Sequence, residues 1–404
     1  MADDSSEVVI VGAGPAGSAT AIHLARAGHR VTMLDRARFP REKPCSEYLS
    51  PETVRHLAQL GVLDKLEQHG GTALEGTRVC AADGATLLGL FAKAGGTPFR
   101  PTGLALPRRI LDATLVDAAR AAGVTVHEES TVRVLGPMEP GGRTITVQDR
   151  NERMRTLTAR CVIGADGLRS VVARQAGLHR SSGLRRMAFV AHIEGVTGLG
   201  SVAEMHVGRR GYVGLNPLGH GVVNVALVVP MAAAAAARGD TATFFRQQLE
   251  SYPGVRGRVD TRRIVREIMV TGPFDTSCRR STLDGLLLVG DAAGFFDPFT
   301  GEGICTALAG AALASTTLIA ALEQGGPLLA GSLEGYRHAR SRAFAGKWIV
   351  ERLIGYAMLA PRLFDRAVAR LERRGMADTL IGVTGDFVSP WRVVNPWFLG
   401  RMVV

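Results

Sequence analysis

Short hydrophobic runs and helix-forming segments alternate in the first part of the chain. A β-branched run at residues 7–11 leads through a glycine turn to residues 16–27, which are mostly good helix formers, and then to a second apolar run at residues 30–35. This order predicts a βαβ unit and therefore the start of a parallel sheet. Further elements are predicted as helices at residues 51–60 and 111–122 and as a three-strand meander at residues 131–135, 144–148 and 161–164.

The pattern changes near residue 185. From there to residue 270, apolar strand-like runs follow one another, which indicates an inserted antiparallel domain. An apolar strand returns at residues 286–289. The last part of the chain is predicted to be helical, because residues 348–374 place apolar and basic side chains at helical spacing.

The composition is that of an ordinary globular protein, with 404 residues, 46% hydrophobic and 21% charged. The five cysteines include no CxxC pair, so neither a disulfide framework nor a metal site is expected, and a cytoplasmic setting is favoured. The first seven residues are acidic, unlike the basic start of a secretory signal. Residues 303–322 are uncharged and long enough to span a bilayer, but their many Ala, Gly, Thr and Ser residues favour a buried helix.

The net charge of +11 raises the question of a nucleic-acid partner. The basic residues are scattered, and only 5% of the chain is aromatic, so no stacking platform for bases is present and nucleic acid is excluded. Most basic residues, including pairs such as Arg185-Arg186 and Arg209-Arg210, are expected on the surface, where some would attract NADPH.

A glycine-rich turn joins the first predicted strand to the first helix. Gly12, Gly14 and Gly17 fit the G-x-G-x-x-G fingerprint, whose glycines allow a tight turn, close approach of a pyrophosphate, and close packing of helix on strand. Asp35 ends the next strand, where an acid accepts hydrogen bonds from ribose hydroxyls. Asp35 followed by Arg36 suits an adenosine without a 2′-phosphate, so FAD or NAD is favoured over NADP at this turn.

A second motif separates FAD from NAD. Residues 286–303 read Leu-Leu-Leu-Val-Gly290-Asp291, followed by Pro298-Phe-Thr-Gly301-Glu-Gly303. With these residues and the Gly-Ala-Asp166-Gly run, the chain resembles the flavoprotein family of p-hydroxybenzoate hydroxylases and geranylgeranyl reductases. The resemblance implies that Asp291 contacts the ribityl chain of FAD and that a helix beginning near Gly303 faces the flavin pyrimidine.

The resemblance also implies the fold and the cofactor contacts. We expect an α/β fold: a doubly wound, glutathione-reductase-like FAD-binding domain (residues 1–80, 106–184 and 271–345), an inserted antiparallel β substrate domain (81–105 and 185–270) and a helical C-terminal region (346–404). Arg109 is a possible substitute for Arg108. The expected cofactor-binding residues are Gly12, Gly14, Pro15, Ala16, Gly17, Asp35, Arg36, Cys45, Arg108, Val132, Asp166, Gly290, Asp291, Pro298, Gly301, Gly303 and Ile304.

Within this family, residues 43–51 and 298–303 resemble the geranylgeranyl reductases most. Two features differ from them. Ser46 stands where these reductases usually have glycine, and residues 211–219 keep a glycine and proline frame without the usual aromatic Tyr-x-Trp-x-Phe-Pro run. The Trp-x-Trp-x-Ile-Pro run of flavin halogenases is also missing, so halogenation is disfavoured.

Candidate catalytic residues are Cys45, Asp297 and Tyr212. A cysteine beside a flavin is a redox partner, a covalent tether or an inert wall residue, and these alternatives stay open. A histidine in the β domain faces either a pocket or the opposite side of its strand. The candidate substrate-pocket residues are Tyr48, His192, His206, Asn216 and Pro217.

Two enzymatic functions follow from the resemblance, both with NADPH or NADH docking transiently as reductant because the chain has one dinucleotide fingerprint. We favour a single-component monooxygenase that transfers oxygen from O₂, through a flavin C4a-hydroperoxide, to an apolar aromatic or polyketide-like secondary metabolite. The alternative is a reductase of carbon–carbon double bonds in an isoprenoid or quinone side chain. A non-catalytic prenyl-protein escort is disfavoured because the flavin motifs are intact.

Aromatic and basic residues lie together near the C-terminal end. Trp391, Trp397 and Phe398 have Arg392 and Arg401 as neighbours in sequence. Peripheral contact with a membrane surface is one interpretation. Packing over the substrate domain is the interpretation that we favour.

Overall fold

A computed structural model describes residues 6–181 and 183–403. Residues 1–5, which carry most of the acidic start that predicts the absence of a secretory signal, lie outside the described residues. The strands, β1 to β22 in chain order, are Val8–Val11, Val31–Leu34, Tyr48–Leu49, Thr72–Leu74, Gly76–Cys80, Thr86–Leu90, Gly103–Ala105, Thr125–His127, Thr131–Glu139, Gly142–Gln148, Met154–Ala159, Cys161–Gly164, His179–Ser181, Arg186–Glu194, Val202–Gly208, Gly211–Gly219, Val222–Pro230, Ile264–Thr271, Thr276–Cys278, Thr282–Leu283, Leu286–Leu288 and Gly294–Phe295. The α-helices, α1 to α12, are Pro15–Arg26, Pro51–Gln59, Leu63–Gln68, Arg108–Ala121, Val171–Gln175, Met231–Ala234, Thr241–Glu250, Gly303–Glu323, Glu334–Ala357, Pro361–Arg373, Ala377–Thr384 and Pro396–Val403.

A six-stranded sheet in the order β20-β21-β12-β1-β2-β8 forms the centre of the first domain. The strands from β21 to β8 are parallel, and only β20 runs antiparallel to its neighbour. β1 and β2 are buried at every position, as expected for strands covered on both faces. The predicted βαβ unit and doubly wound fold class are confirmed.

The meander beside this sheet differs from the prediction in its third strand. β9, β10 and β11 form an antiparallel sheet, whereas Cys161–Gly164 is β12 of the parallel sheet. Placing residues 161–164 in the meander was therefore wrong. The true third strand, Met154–Ala159, alternates exposed positions with half-buried or buried ones and contains no apolar run, which is why the search for such runs passed over it.

The second domain is a seven-stranded sheet in the order β18-β14-β17-β16-β15-β5-β6. β5 lies before the expected boundary at residue 80, yet it pairs with β15 in this sheet. One face of the central strands carries Phe189, Val213 and Leu227, which pack with Phe245 of α7. The opposite face, whose side chains are offset by one residue, is turned toward the first domain.

Helix α8 is long and apolar enough to cross a membrane, and it is the one such helix among the described residues. Its Leu308, Ala311 and Leu318 lie in the main core together with residues of α1. Small side chains in both helices allow this close packing. We conclude that α8 is a core helix in this fold, as the composition predicts.

The C-terminal helices cover the edge of the large sheet. α10 and α11 pack against β6, and Phe364, Val368 and Phe398 belong to one hydrophobic cluster with residues of that sheet. This agrees with packing over the substrate domain. Trp391 and Trp397 remain exposed, so contact of these two side chains with a membrane stays a prediction.

A buried carboxylate joins the two domains. Glu47 is fully buried, and its oxygens accept hydrogen bonds from the backbone N–H of Arg108 (2.8 Å), from Nδ2 of Asn224 (2.7 Å) and from Nε2 of His192 (2.6 Å). The backbone of Glu47 has φ of +57°, a left-handed conformation that disfavours most side chains. The three hydrogen bonds offset this strain and hold the loop that precedes β3.

We expect Glu47→Ala to lower the free energy of unfolding by about 3 kcal/mol, because three buried donors lose their acceptor at once. Urea denaturation followed by circular dichroism measures the change. Glu194→Ala is the matched control, since Glu194 ends β14 with a half-exposed side chain and only a long ion pair to Arg263. Equal stability of the two variants would contradict the role of Glu47.

Candidate functional site

A cavity of about 1190 Å³ lies between the parallel sheet and the large sheet. Its walls combine residues of both glycine motifs with an apolar face of the second domain. Twelve of the predicted cofactor or catalytic residues line it: Gly14, Pro15, Ala16, Cys45, Arg108, Tyr212, Gly290, Asp291, Pro298, Gly301, Gly303 and Ile304.

The first glycine turn is built as its sequence predicts. A Cβ atom at Gly12 would lie 2.4 Å from the carbonyl oxygen of Ala165, and one at Gly17 would lie 1.8 Å from the carbonyl oxygen of Gly12. Only glycine fits at these two positions. The turn therefore brings the N-terminus of α1 to the edge of the cavity, with its positive dipole end and free N–H groups.

Asp35 stands at the end of β2 beside this turn. Its carboxylate accepts hydrogen bonds from the N–H groups of Ala13 and Ala37, both at 2.8 Å. Each oxygen keeps lone pairs that ribose hydroxyls can use. Arg36, the next residue, is exposed.

Two arginines border the turn. Arg108 is buried and forms a two-pronged ion pair with Asp112, with both N···O distances 2.8 Å. Arg41 lies 3.2 Å from the same carboxylate and is also the nearest side chain to Gly14. Sequence reasoning missed Arg41, because it lies in a loop without periodicity. Arg109 points instead to a separate surface cavity.

Lys43 and Asp291 face one another across the cavity. Burial raises the pKa of Asp291, and the positive charges of Lys43 and Arg108 partly oppose this rise. Burial, with Arg108 and Arg41 as neighbours, lowers the pKa of Lys43. Asp291 accepts no hydrogen bond from the residues that the structure describes, so its carboxylate is available to a ligand in the cavity.

The loop before α8 is tied to the large sheet by Asp297. Its carboxylate accepts hydrogen bonds from the phenol of Tyr212 (2.7 Å) and from Nη1 of Arg186 (2.8 Å), and it also accepts the N–H of Phe299 (3.0 Å). Burial raises the pKa of Asp297, while Arg186 opposes the rise. Burial, and then the charge of Asp297, raises the pKa of Tyr212 well above its usual value. Arg186, expected among surface arginines, is therefore an exception.

The wall opposite the motifs is apolar. Alternate residues of the central strands point into the cavity, among them Val190, Met205, Ala226 and Val228. The strand period of two explains why their neighbours in sequence pack on α7 instead. Single-sequence reasoning identified the strands but not which face of each meets the cofactor motifs.

Several predicted pocket residues have other partners. His192 lies on the cavity face of β14, but its ring is bound to Glu47. His206 lies on the opposite face of its strand, where it contacts Glu204 at 2.9 Å. Asn216 donates to the carbonyl of Ser46 at 3.0 Å. Tyr48 and Asn216 line a smaller cavity of about 400 Å³ next to the first one.

The remaining candidates are structural in their contacts. Pro217 pairs with Val223 in the large sheet. Val132 is buried beside Leu34 in the core of the first domain. Asp166 accepts the N–H of Val171 at 2.6 Å, at the start of α5, and in the part of the chain that the structure describes its other oxygen is buried without a hydrogen-bond partner.

A buried charge cluster lies at the start of α8. Glu302 accepts a hydrogen bond from Ser50 at 3.1 Å, and its other oxygen is buried with no hydrogen-bond partner among the described residues. Cys305 and Asp386 place ligand atoms within 4.8 Å of the Glu302 carboxylate and of each other. The ammonium group of Lys347, which contacts Asp386, supplies a cation to this cluster. Burial raises the pKa of Glu302 to about 8, with Lys347 opposing the rise.

These residues form a site that fits FAD. Asp35 would hold a ribose, the N-terminus of α1 with Gly14 and Arg41 would hold the pyrophosphate, and Asp291 would hold the ribityl chain. The α8 N-terminus after Gly301 would face the flavin pyrimidine. When bound, FAD supplies hydride chemistry, while the chain supplies binding, orientation and a water-poor cavity.

The raised pKa of Glu302 predicts a pH-dependent stability. The folded apoprotein keeps a proton on this acid that the unfolded chain releases above about pH 4.5, so the free energy of unfolding falls as pH rises toward 8. Glu302→Gln should reduce that slope by up to about 1.4 kcal/mol per pH unit, measured by urea denaturation between pH 6 and 7.5. Glu323→Gln, at the exposed end of α8, is the control and should leave the slope unchanged. Identical slopes in all three proteins would count against a protonated Glu302.

The chain is similar to known proteins over most of its length. The FAD binding domain family model matches residues 5–347. The menaquinone reductase of Mycobacterium tuberculosis is 31% identical, covering 75% of this chain and 74% of that protein. The digeranylgeranylglycerophospholipid reductase 2 of Methanopyrus kandleri is 29% identical, covering 93% and 90%. The conditioned medium factor receptor 1 of Dictyostelium discoideum is 28% identical, covering 98% and 79%.

Solved structures have the same fold. A flavoprotein/dehydrogenase from Cytophaga hutchinsonii superposes with a TM-score of 0.85 at 20% identity, covering 99% of this chain and 96% of that one. A myxobacterial chondrochloren halogenase superposes with a TM-score of 0.80 at 20% identity, covering 99% and 95%. At these identities the likeness concerns the fold alone. Together with the two glycine motifs and the cavity that they line, the family match shows that this chain belongs to the FAD binding domain family and is an FAD-dependent oxidoreductase.

Proposed function

We propose that the protein reduces carbon–carbon double bonds in an isoprenoid or quinone side chain. The observation that carries this proposal is the apolar wall of the large sheet, which faces the flavin motifs across one continuous cavity. Val190, Met205, Ala226 and Val228 offer this wall no charge and no hydrogen-bonding side chain, so it suits a hydrocarbon. The relatives named as menaquinone and digeranylgeranylglycerophospholipid reductases support the same class of substrate.

Addition of hydrogen to an alkene needs a hydride on one carbon and a proton on the other. FAD would supply the hydride, and the proton has to come from the cavity wall or from water. Tyr212 lines the cavity, but its O–H is committed to Asp297. Cys45 also lines the cavity, and its sulfur accepts the N–H of Glu47 at 3.4 Å, which leaves the S–H hydrogen free to point toward a substrate.

Cys45 is therefore the proton donor in this proposal. The S–H bond breaks as the new C–H bond forms, and the thiolate regains its proton from solvent. Arg108 interacts with the sulfur and would stabilise the negative charge that develops on it as the proton leaves. Tyr212, Asp297 and Arg186 position the segment between β21 and α8 (residues 289–302), which we call the flavin loop.

The monooxygenase that sequence alone favours has less support. Its basis was the missing tryptophan run at residues 211–219, and the same segment now forms part of an apolar wall that suits a hydrocarbon equally. The relatives that cover most of this chain include reductases by name. A gain of oxygen and a gain of hydrogen differ in product mass, so one incubation separates the two functions.

We expect dithionite-reduced holoprotein to add two hydrogens to a geranylgeranyl lipid, which has no quinone ring for dithionite to reduce, in the absence of oxygen. The product is measured by mass spectrometry, and dithionite with lipid but without protein is the control. The proposal fails if no anaerobic reduction occurs and a product heavier by one oxygen forms in air with NADPH.

We expect Cys45→Ala to slow alkene reduction about 100-fold, the effect typical of a lost general acid, and Cys45→Ser to recover part of the rate. The flavin absorbance of both variants should stay at the wild-type level, because Cys45 contributes one wall atom among many. Cys80→Ala, a cysteine of β5 in the large sheet, is the matched control and should keep the wild-type rate. Wild-type rates in Cys45→Ala would show that the cysteine is an inert wall residue.

A further inference from the structure

A second cavity, of about 1310 Å³, lies behind the loop that precedes α8. It is bounded by Thr276–Cys278 on one side and by α9 on the other. The two cavities meet at the flavin loop, since both are lined by Gly290, Asp291, Phe295, Gly303 and Ala307. A ligand in the second cavity would therefore approach the cofactor residues from the side opposite the apolar wall.

The walls of the second cavity differ in chemistry from those of the first. Hydroxyl and charged side chains predominate, where the first cavity has aliphatic ones. A hydrocarbon chain would leave these polar groups unpaired, so the second cavity suits a polar ligand.

Two arginines of α9 give this cavity its positive charge. Arg340 lies over the ring of Trp348 at 4.9 Å, and Arg352 lies over the ring of Phe296 at 5.5 Å. Among the residues that the structure describes, neither guanidinium forms an ion pair with a carboxylate. Stacking fixes the plane of each guanidinium and leaves most of its N–H donors free at the edge, which suits the oxygens of a phosphate.

Four acids share these walls, so the charge near the two arginines depends on the contacts of each acid. Asp297 is already paired with Arg186 at 2.8 Å. Burial raises the pKa of Glu351 to about 7, with Lys347 opposing the rise, and burial also raises the pKa of Asp291. Asp275 accepts the N–H of Leu184 at 2.7 Å. The two guanidinium groups therefore offer an anion local hydrogen-bond donors on α9, while the cavity as a whole carries no excess of positive charge.

Aromatic rings line the same cavity. Trp348 is partly buried in the wall. Tyr356, about two turns further along α9, also lines the cavity and is 54% exposed. Such rings stack with planar heterocycles. Phosphate-binding arginines beside aromatic rings, close to the flavin loop, are the elements that a nucleotide electron donor requires.

We propose that the second cavity binds the nicotinamide dinucleotide that reduces FAD, with Arg340 and Arg352 on its phosphates and Trp348 or Tyr356 against a ring. The inference rests on the proposed function, which consumes reducing equivalents, and on the single dinucleotide fingerprint, which FAD occupies. The dihydronicotinamide would give up one hydride and leave as oxidised nicotinamide, and bound FAD would take up that hydride together with one proton from solvent. That hydride and a proton then pass to the alkene.

The test compares reduction of the holoprotein by NADPH and NADH with reduction by dithionite, which needs no docking site. In Arg340→Ala/Arg352→Ala, the nucleotide concentration for half-maximal flavin bleaching should rise at least 10-fold, while FAD content and the dithionite rate stay unchanged. Binding of NADP⁺ and NAD⁺, followed by tryptophan fluorescence, should weaken in parallel. Arg352→Glu, at an exposed position, repeats the test with little risk to folding, and Arg342→Ala, exposed on the same helix, is the control.

The other outcomes show separately whether the nucleotide site or the proposed function is wrong. The inference is wrong if the double variant binds both nucleotides as tightly as the wild-type protein, or if the wild-type protein binds neither. In both cases the dithionite-reduced protein would still reduce the alkene, so the proposed function would stand. Loss of alkene reduction with nucleotide binding retained removes the proposed function and leaves the site. If the double variant binds geranylgeranyl diphosphate more weakly but NADP⁺ and NAD⁺ normally, the arginines recognise the phosphate of a lipid substrate instead, and the inference is overturned.

Discussion

The buried ion pair between Arg186 and Asp297 holds the three parts of the molecule together. Arg186 begins β14 of the large sheet, Asp297 belongs to the flavin loop, and Arg186 also donates to the carbonyl of Gly355 in α9 at 3.3 Å. The phenol of Tyr212, in β16 of the same sheet, also donates a hydrogen bond to Asp297. Two opposite charges this deeply buried are stabilised by their mutual pairing and by the further hydrogen bonds to Gly355 and from Tyr212. The walls of both large cavities depend on this one arrangement.

A second junction serves the other end of the first cavity. Glu47 holds the loop that contains Cys45 and precedes β3, called the cysteine loop, against the large sheet. Asn224 donates a hydrogen bond to the carbonyl of Cys45 at 2.8 Å. The flavin loop and the cysteine loop are thus each fixed by an acid that reaches residues of the large sheet. Substrate and cofactor surfaces come from different domains, yet their spacing is set by hydrogen bonds and not by loop flexibility.

The sequence predicts local features well and long-range pairs poorly. Gly12, Gly17 and Asp35 lie within one βαβ unit, so their spacing along the chain determines their spacing in space. Arg186 and Asp297 are more than a hundred positions apart, and nothing near either residue in sequence indicates its partner. The same holds for Glu47 with His192, whose ring was expected to face substrate. Strand period identifies two faces for each strand, but only the fold determines which face meets the cavity.

Side chains of the apolar wall can change without disturbing the packing that stabilises the fold. Gly214 and Ala226 lie in the middle of the large sheet with their backbone groups paired on both sides, and their side-chain positions open into the cavity. A Cβ at Gly214 would lie 3.3 Å from the sulfur of Met205, a flexible neighbour that can yield, and at an ordinary contact distance of 4.0 Å from Ala226. Larger side chains at these two positions would shorten the cavity without touching the layer packed on α7. Under the proposed function, single replacements at these positions would change the length of the hydrocarbon that the cavity accepts, at little cost to folding.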